Sequence, residues 1–128
     1  MVKRLILMID DEKEFCQITK MNLELMSGFT VITAFSGKEG IKIARQHNPD
    51  LILCDINMPH MDGLQVLEAL KKDAKTMAIP VVMLTARQDE YAKRKAAQLY
   101  DEEYITKPIG IQDLKEEIKK ILRRKKGL

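Results

Sequence analysis

Cysteine and histidine are scarce in this chain, with two of each among 128 residues. Cys16 and Cys54 lack the spacing of a metal-binding pair or a disulfide framework, so each reads as a small buried hydrophobe. His47 and His60 have no cysteine or histidine at ligand spacing, which removes a zinc site. Long apolar runs are missing too, and nothing approaches the ~18 residues that a membrane span needs. The start, VKRLILMI, is only briefly apolar before Asp10 and Asp11 interrupt it, so no signal peptide is expected. These absences lead to the expectation of a cytoplasmic protein with no membrane association. Linkers and low-complexity segments are lacking as well. The chain reads as one domain over residues 1–128, with its core at about 3–123.

The net charge of +3 is unevenly spread: six of the 22 basic residues lie in KKILRRKK, residues 119–126, which holds no acid. The remainder carries 16 basic and 19 acidic side chains, a net of −3. The basic tail, 119–128, has no aromatic residue and no nucleic-acid motif. A solvated last helix, its cations offsetting the negative end of the helix dipole, is preferred to a patch for nucleic acid or an acidic partner. Nucleic-acid binding through this domain itself is therefore not expected.

What is present is alternation. RLILMI (4–9), FTVITA (29–34), DLILCD (50–55), IPVVMLTA (79–86) and EYIT (103–106) read as strands. Between them lie helical patterns. Phe15, Ile18, Leu25 and Met26 share one face of a helix ending near Gly28, and this face is expected to be the buried one. Ser36 and Glu39 form a capping box opening a helix that Pro49 stops near Asn48. Leu64 to Lys72 form a short helix, and residues 88–99 a polar, weakly amphipathic one. Ile111, Leu114, Ile118, Ile121 and Leu122 line one face of the last. Five β–α units with continuously apolar strands predict a doubly wound α/β fold, a parallel sheet covered by helices on both faces.

The polar residues collect at one place in this scheme. Asp10 and Asp11 follow the first strand, Asp55 ends the third, Thr85 closes the fourth and Lys107 follows the fifth. All fall on the carboxyl rim of the sheet, where such folds bind ligands. Crowded carboxylates repel one another, so a raised pKa or a bound cation is expected. A hard divalent ion with oxygen ligands suits them, which points to magnesium. A carboxylate beside a metal, a hydroxyl and an ammonium is equipped for phosphoryl transfer, with Asp55 as the attacking group.

DD after the first strand, DINMPHMDG, LTA and YITKP, in this order and on these strand ends, resemble the receiver domain of two-component response regulators, the CheY-like fold. The resemblance spans nearly the whole chain. It implies a flavodoxin-like (βα)5 domain with strand order 2-1-3-4-5. Asp55 would accept a phosphoryl group from a sensor histidine kinase or phosphotransfer protein. Asp11, Asp55, the backbone carbonyl of Asn57 and, through water, Asp10 would hold Mg2+. Thr85, the N–H of Ala86 and Lys107 would hold the phosphoryl oxygens. Thr85 and Tyr104 would form the switch that re-poses the face of the fourth helix, fifth strand and fifth helix for an output protein or domain, with a phosphorylation-dependent dimer left open. Asn57 and Arg87 stand where the family tunes phosphoryl lifetime, and the Lys107–Pro108 bond is cis in the family.

There are departures. Ile109 stands where the family usually has phenylalanine, and AQLYDEE (97–103) lacks the usual glycine. Three alternatives compete. One is an aspartate-nucleophile phosphatase, which needs an acid where Asn57 stands; on the preferred reading the chain is not a turnover enzyme. The others are a pseudo-receiver without phosphorylation and the first domain of a DNA-binding regulator.

Overall fold

The protein was analysed as a computed structural model, which describes residues 3–86, 91, 95, 98–100 and 102–125. Five strands, β1 (Arg4–Ile9), β2 (Phe29–Ala34), β3 (Leu51–Asp55), β4 (Val81–Thr85) and β5 (Glu103–Thr106), form one sheet in the order 2-1-3-4-5. Every pairing is parallel. Helices α1 (Lys13–Ser27), α2 (Gly37–His47) and α3 (Gly63–Lys72) follow the first three strands. The C-terminal helix covers Ile111–Lys125. Residues 91, 95 and 98–100 are helical, and the rest of the helix expected over 88–99 lies outside the described residues.

The continuous apolar runs of β1, β3 and β4 follow from their two-sided burial. Successive side chains point to opposite faces of a strand. Ile6 and Met8 of β1, Leu51 and Leu53 of β3, and Val82 and Leu84 of β4 pack with α1 and the C-terminal helix. Leu7 and Ile9, Ile52 and Cys54, and Val81 and Met83 pack with α2 and α3. Both faces are covered, so no strand position between these residues can be polar without losing burial. Pro80 precedes β4 and contributes its carbonyl, which accepts a hydrogen bond from the Ile52 N–H at 3.0 Å. No helix among the described residues is long and apolar enough to cross a membrane.

Two expectations are corrected. On α1, Ile18 and Leu25 are 60% and 77% exposed, whereas Cys16, Thr19 and Leu23 are buried. Phe15, from the expected face, does pack against the core, and the Met26 side chain lies outside what is described; the helix carries apolar residues on two faces, and the sheet takes Phe15 with the smaller, partly polar set. At the start of α2, the Ser36 hydroxyl accepts from the Glu39 N–H, but the Glu39 carboxylate accepts from the Phe35 N–H, one residue before the cap. The reciprocal capping box is at α3, where Asp62 and Gln65 each accept the other's backbone N–H.

Candidate functional site

The sheet changes winding direction between β1 and β3, neighbours in space that are separated in sequence by β2. Chains leaving such a point diverge, and a crevice opens on the carboxyl side. The ladder runs one step past the strands there. The Asp10 N–H donates to the Ala34 carbonyl, the Ile56 N–H to that of Leu84 and the Lys107 N–H to that of Thr85, at 3.0, 3.0 and 2.7 Å. The groups of the rim are thus mounted on hydrogen-bonded backbone rather than on free loops.

Asp55 is held from the other side as well. Its carbonyl lies so close to Gly63 that a Cβ on that residue would sit 2.3 Å from it. The Gly63 N–H donates to the Ile56 carbonyl at 2.8 Å, and the Asp62–Gln65 box fixes the helix start. Only glycine permits this approach of α3 to the backbone of Asp55. The intervening turn carries His60 with φ 68°, a left-handed conformation that is uncommon outside glycine.

The side chains converge. One carboxylate oxygen each from Asp10, Asp11 and Asp55 lie within 4.8 Å of one another. Asp10 and Asp55 are buried and Asp11 is exposed. The Lys107 ammonium reaches Asp10 at 3.0 Å, Asp55 at 3.3 Å and Glu12 at 3.5 Å. Thr85, at the end of β4, is fully buried; its hydroxyl donates to the Ala86 carbonyl at 3.1 Å and its own carbonyl accepts the Lys107 N–H. Asp10 also accepts the Glu12 N–H, so it serves the start of α1 as well as the pocket.

The electrostatics follow from that crowding. Burial first, and then the Asp10 charge, push the Asp55 carboxyl up from 3.8 to about 6, against the pull of Lys107. Burial works against the Lys107 ammonium. Its hydrogen bond to Asp10 and its attraction to Asp10 and Asp55 outweigh that, and its pKa rises above 10.5. Cys16, whose thiol lies 3.4 Å from the Asp10 carbonyl, is pushed up to about 12 by burial and then by Asp10. Burial likewise raises Cys54. Neither thiol is a nucleophile at neutral pH.

Asp10, Asp11, Asp55 and Lys107 therefore meet at one pocket, and Thr85, followed by Ala86, adjoins it through its backbone bond to Lys107. Tyr104 lies on β5, 44% exposed. Asn57 is exposed two residues after Asp55. Arg87 lies outside the described residues. The Lys107–Pro108 bond is cis. Two participants were not legible in the sequence. Phe15 places its ring 4.6 Å from the Lys107 ammonium, a cation–π contact, and Glu12 adds a carboxylate at the rim. Phe15 carried only the signal of a core residue, and Glu12 none.

A doubly wound domain with three carboxylates and a lysine at its switch point has the architecture of a receiver. A model of the response regulator receiver domain matches residues 6–119, and the chain belongs to that family. It is a signalling domain of two-component systems. The alkaline phosphatase synthesis transcriptional regulatory protein PhoP of Bacillus subtilis is 38% identical over 93% of this chain and 48% of its own length. The DNA-binding dual master transcriptional regulator RpaA of Synechocystis is 36% identical over 93% of the chain and 49% of its length. The chain thus spans about half the length of these curated relatives. A response regulator receiver domain protein from Clostridium thermocellum superposes with a TM-score of 0.87 at 34% identity, covering 96% of this chain and 97% of that one. A CheY-like receiver domain protein from Methanospirillum hungatei reaches a TM-score of 0.89 at 28% identity, covering 98% of both.

Proposed function

We propose that Asp55 is a phospho-acceptor. An Asp55 carboxylate oxygen attacks the phosphorus of a phosphohistidine on a sensor kinase or phosphotransfer protein. The new P–O bond forms as the P–N bond breaks, and the imidazole leaves with the bonding pair and takes up a proton. Lys107 offsets charge on the transferred group, and the Thr85 hydroxyl and the Ala86 N–H donate hydrogen bonds to its oxygens. The observation that carries this reading is the contact of a buried Asp55 carboxylate with Lys107 at 3.3 Å, inside a cluster of two further carboxylates.

The donor set fits a hard divalent cation. Three carboxylates face one ammonium, all ligand atoms are oxygens, and one of the three residues is open to water. Asp10, Asp11, Asp55 and the Asn57 carbonyl would hold Mg2+. When bound, it would neutralise charge on the oxygens of the reacting group. The chain's own residues bring the acceptor oxygen to the rim, hold it against α3 and keep a cation beside it.

Switching rests on Thr85 and Tyr104. A phosphoryl group on Asp55 offers the Thr85 hydroxyl a charged acceptor stronger than the Ala86 carbonyl it now serves. Its inward turn would free space for the exposed Tyr104 ring, altering the surface that β5 and its flanking helices present. That surface would be read by an output domain or a separate protein. The curated relatives named above are transcriptional regulators, which supports control of transcription as the final output. Asn57 and Arg87 would tune the lifetime of the modified form. The domain catalyses its own modification but turns over no external substrate, since Asn57 cannot serve as the second acid a phosphatase needs.

The test is exposure to acetyl phosphate with magnesium. One acid-labile phosphoryl group per chain is expected on Asp55, and none on Asp55→Asn. Undiminished labelling of that variant would refute the assignment, and many turnovers of a small phosphomonoester would make the protein an enzyme instead. A fully metal-loaded protein that acquires no label would leave the pseudo-receiver reading.

A further inference from the structure

The sheet has a second end. At its amino side, opposite the carboxylates, Arg4 opens β1 and Phe29 opens β2, and the C-terminal helix passes over both. Arg4, Phe29, Lys119, Leu122 and Arg123 enclose a shallow cleft of about 280 Å³, predominantly apolar inside. That is at the small end of ligand pockets, which run from roughly 300 Å³, so it suits one large side chain rather than a drug-sized molecule. Phe29 and Leu122, 3% and 5% exposed, close its base, and most of its apolar lining is the stems of Arg4, Lys119 and Arg123.

The cations around it are distinctive. On the same helix, Arg124 is paired with Glu103 and Lys120 with Glu117. Arg4, Lys119 and Arg123 have no acidic partner among the described residues. Three unpaired cations from two elements therefore ring one apolar depression. Offsetting the helix dipole would account for Lys119 and Arg123, but not for Arg4 on a strand or for an apolar floor between them.

We propose that this cleft binds an acidic peptide segment that inserts one large aliphatic or aromatic side chain. The side chain would pack between the stems of Arg4, Lys119 and Arg123, above the buried Phe29 and Leu122, and flanking carboxylates would pair with the three cations. Charge complementarity selects an anionic partner. The floor selects a peptide over nucleic acid: base recognition by aromatics needs an open ring face, and Phe29 exposes almost none. The site is remote from Asp55 in the fold and does not depend on its phosphorylation.

The test uses a fluorescein-labelled acidic hexapeptide, a Leu-Phe pair with two aspartates on each side, and anisotropy with the full chain. Saturable binding is expected, at least about tenfold tighter than for a Ser-Ser control peptide and for the Lys119→Glu, Arg123→Glu double variant. Amide shifts in the wild-type NMR spectrum should concentrate at Arg4, Phe29 and Leu122, which keeps the proposal testable if the double variant folds poorly. Equal affinity for the Ser-Ser peptide, indifference to the charge reversals, shifts elsewhere, or no saturation below about 1 mM would each overturn it. So would a single-stranded oligonucleotide that binds the cleft in preference to the peptide.

Discussion

At the scale of single residues, the proposed role requires Asp55 to be accessible to a phosphoryl donor, and yet it is 6% exposed. Its burial beside Asp10 is what raises its pKa from 3.8 to about 6. A carboxyl whose pKa is higher in the folded state favours folding while protonated. That contribution is complete below about 3.8 and is lost as pH rises through about 6. Above that range the ionised side chain opposes folding, and Lys107 only partly compensates. Asp55→Asn removes the charge and keeps the shape. In metal-free buffer at about pH 7.5 the variant should melt higher than the wild type by on the order of 5 °C, from roughly 1–3 kcal/mol of relieved strain. The difference should shrink towards zero as pH falls below about 3.8, where both states of the wild type are protonated. Magnesium should raise the melting temperature of the wild type more than that of the variant, because only the wild type offers all three carboxylates. Calorimetric melts across this pH range, with and without the ion, decide it; a variant no more stable than the wild type at neutral pH would contradict the electrostatics described here.

At the scale of elements, α1 separates what local pattern can reveal from what it cannot. Apolar residues lie on two faces of it, and periodicity cannot rank them. Tertiary packing selects Cys16, Thr19 and Leu23 for the sheet and leaves Ile18 and Leu25 outside. Leu23→Ala should therefore cost about 2–5 kcal/mol in urea denaturation, while Leu25→Gln should stay within about 0.5 kcal/mol. If the two costs were alike, the burial assigned to this helix would be wrong. Strands β1, β3 and β4 were legible because burial on both faces leaves an unbroken apolar run, and Asp10, Asp55 and Thr85 because they end such runs. The ion pair at the other end of the sheet was not. Glu102, 8% exposed, lies in a segment that reads as an acidic surface loop. It accepts the Val81 N–H at 2.9 Å and meets the Lys71 ammonium at 2.6 Å. That ammonium also donates to the Met77 and Ile79 carbonyls at 3.1 and 2.9 Å, so all three of its protons are used. The pair joins the end of α3, the start of β4 and the approach to β5, contacts that only the folded chain creates. Lys71→Met strands the buried carboxylate and should cost about 3–5 kcal/mol. Glu102→Gln still offers an acceptor to Val81 and should cost less; the reverse order would show that the pair does not join these elements.

At the scale of the whole molecule, the proposed function requires a signal to leave a pocket whose parts are otherwise held by backbone and ion-pair contacts. Asp55 is pinned between the β4 ladder and α3, and Asp10 between Ala34 and Lys107. Thr85 differs from them. Its hydroxyl turns about a single bond, and its present acceptor, the adjoining Ala86 carbonyl, is a weak hold at 3.1 Å. Its backbone carbonyl accepts the Lys107 N–H, and Thr85 pairs with Thr106 in the register that sets Met83 against Tyr104. A new charged acceptor on Asp55 thus acts on a residue already joined to β5. The bias required is modest, since a gap of a few kcal/mol separates the states of such a switch. Thr85→Ala retains Asp55, Lys107 and the acidic trio, so it should still take a phosphoryl group. What it should lose is propagation. In the wild type, amide chemical shifts on phosphorylation should change both around Asp55 and along residues 103–106 at Tyr104; in Thr85→Ala the first set should persist and the second fall to a small fraction. Equal changes at Tyr104 in both proteins would mean that the signal leaves by another route, the backbone of β5 through Lys107 being the other connection between the pocket and that strand.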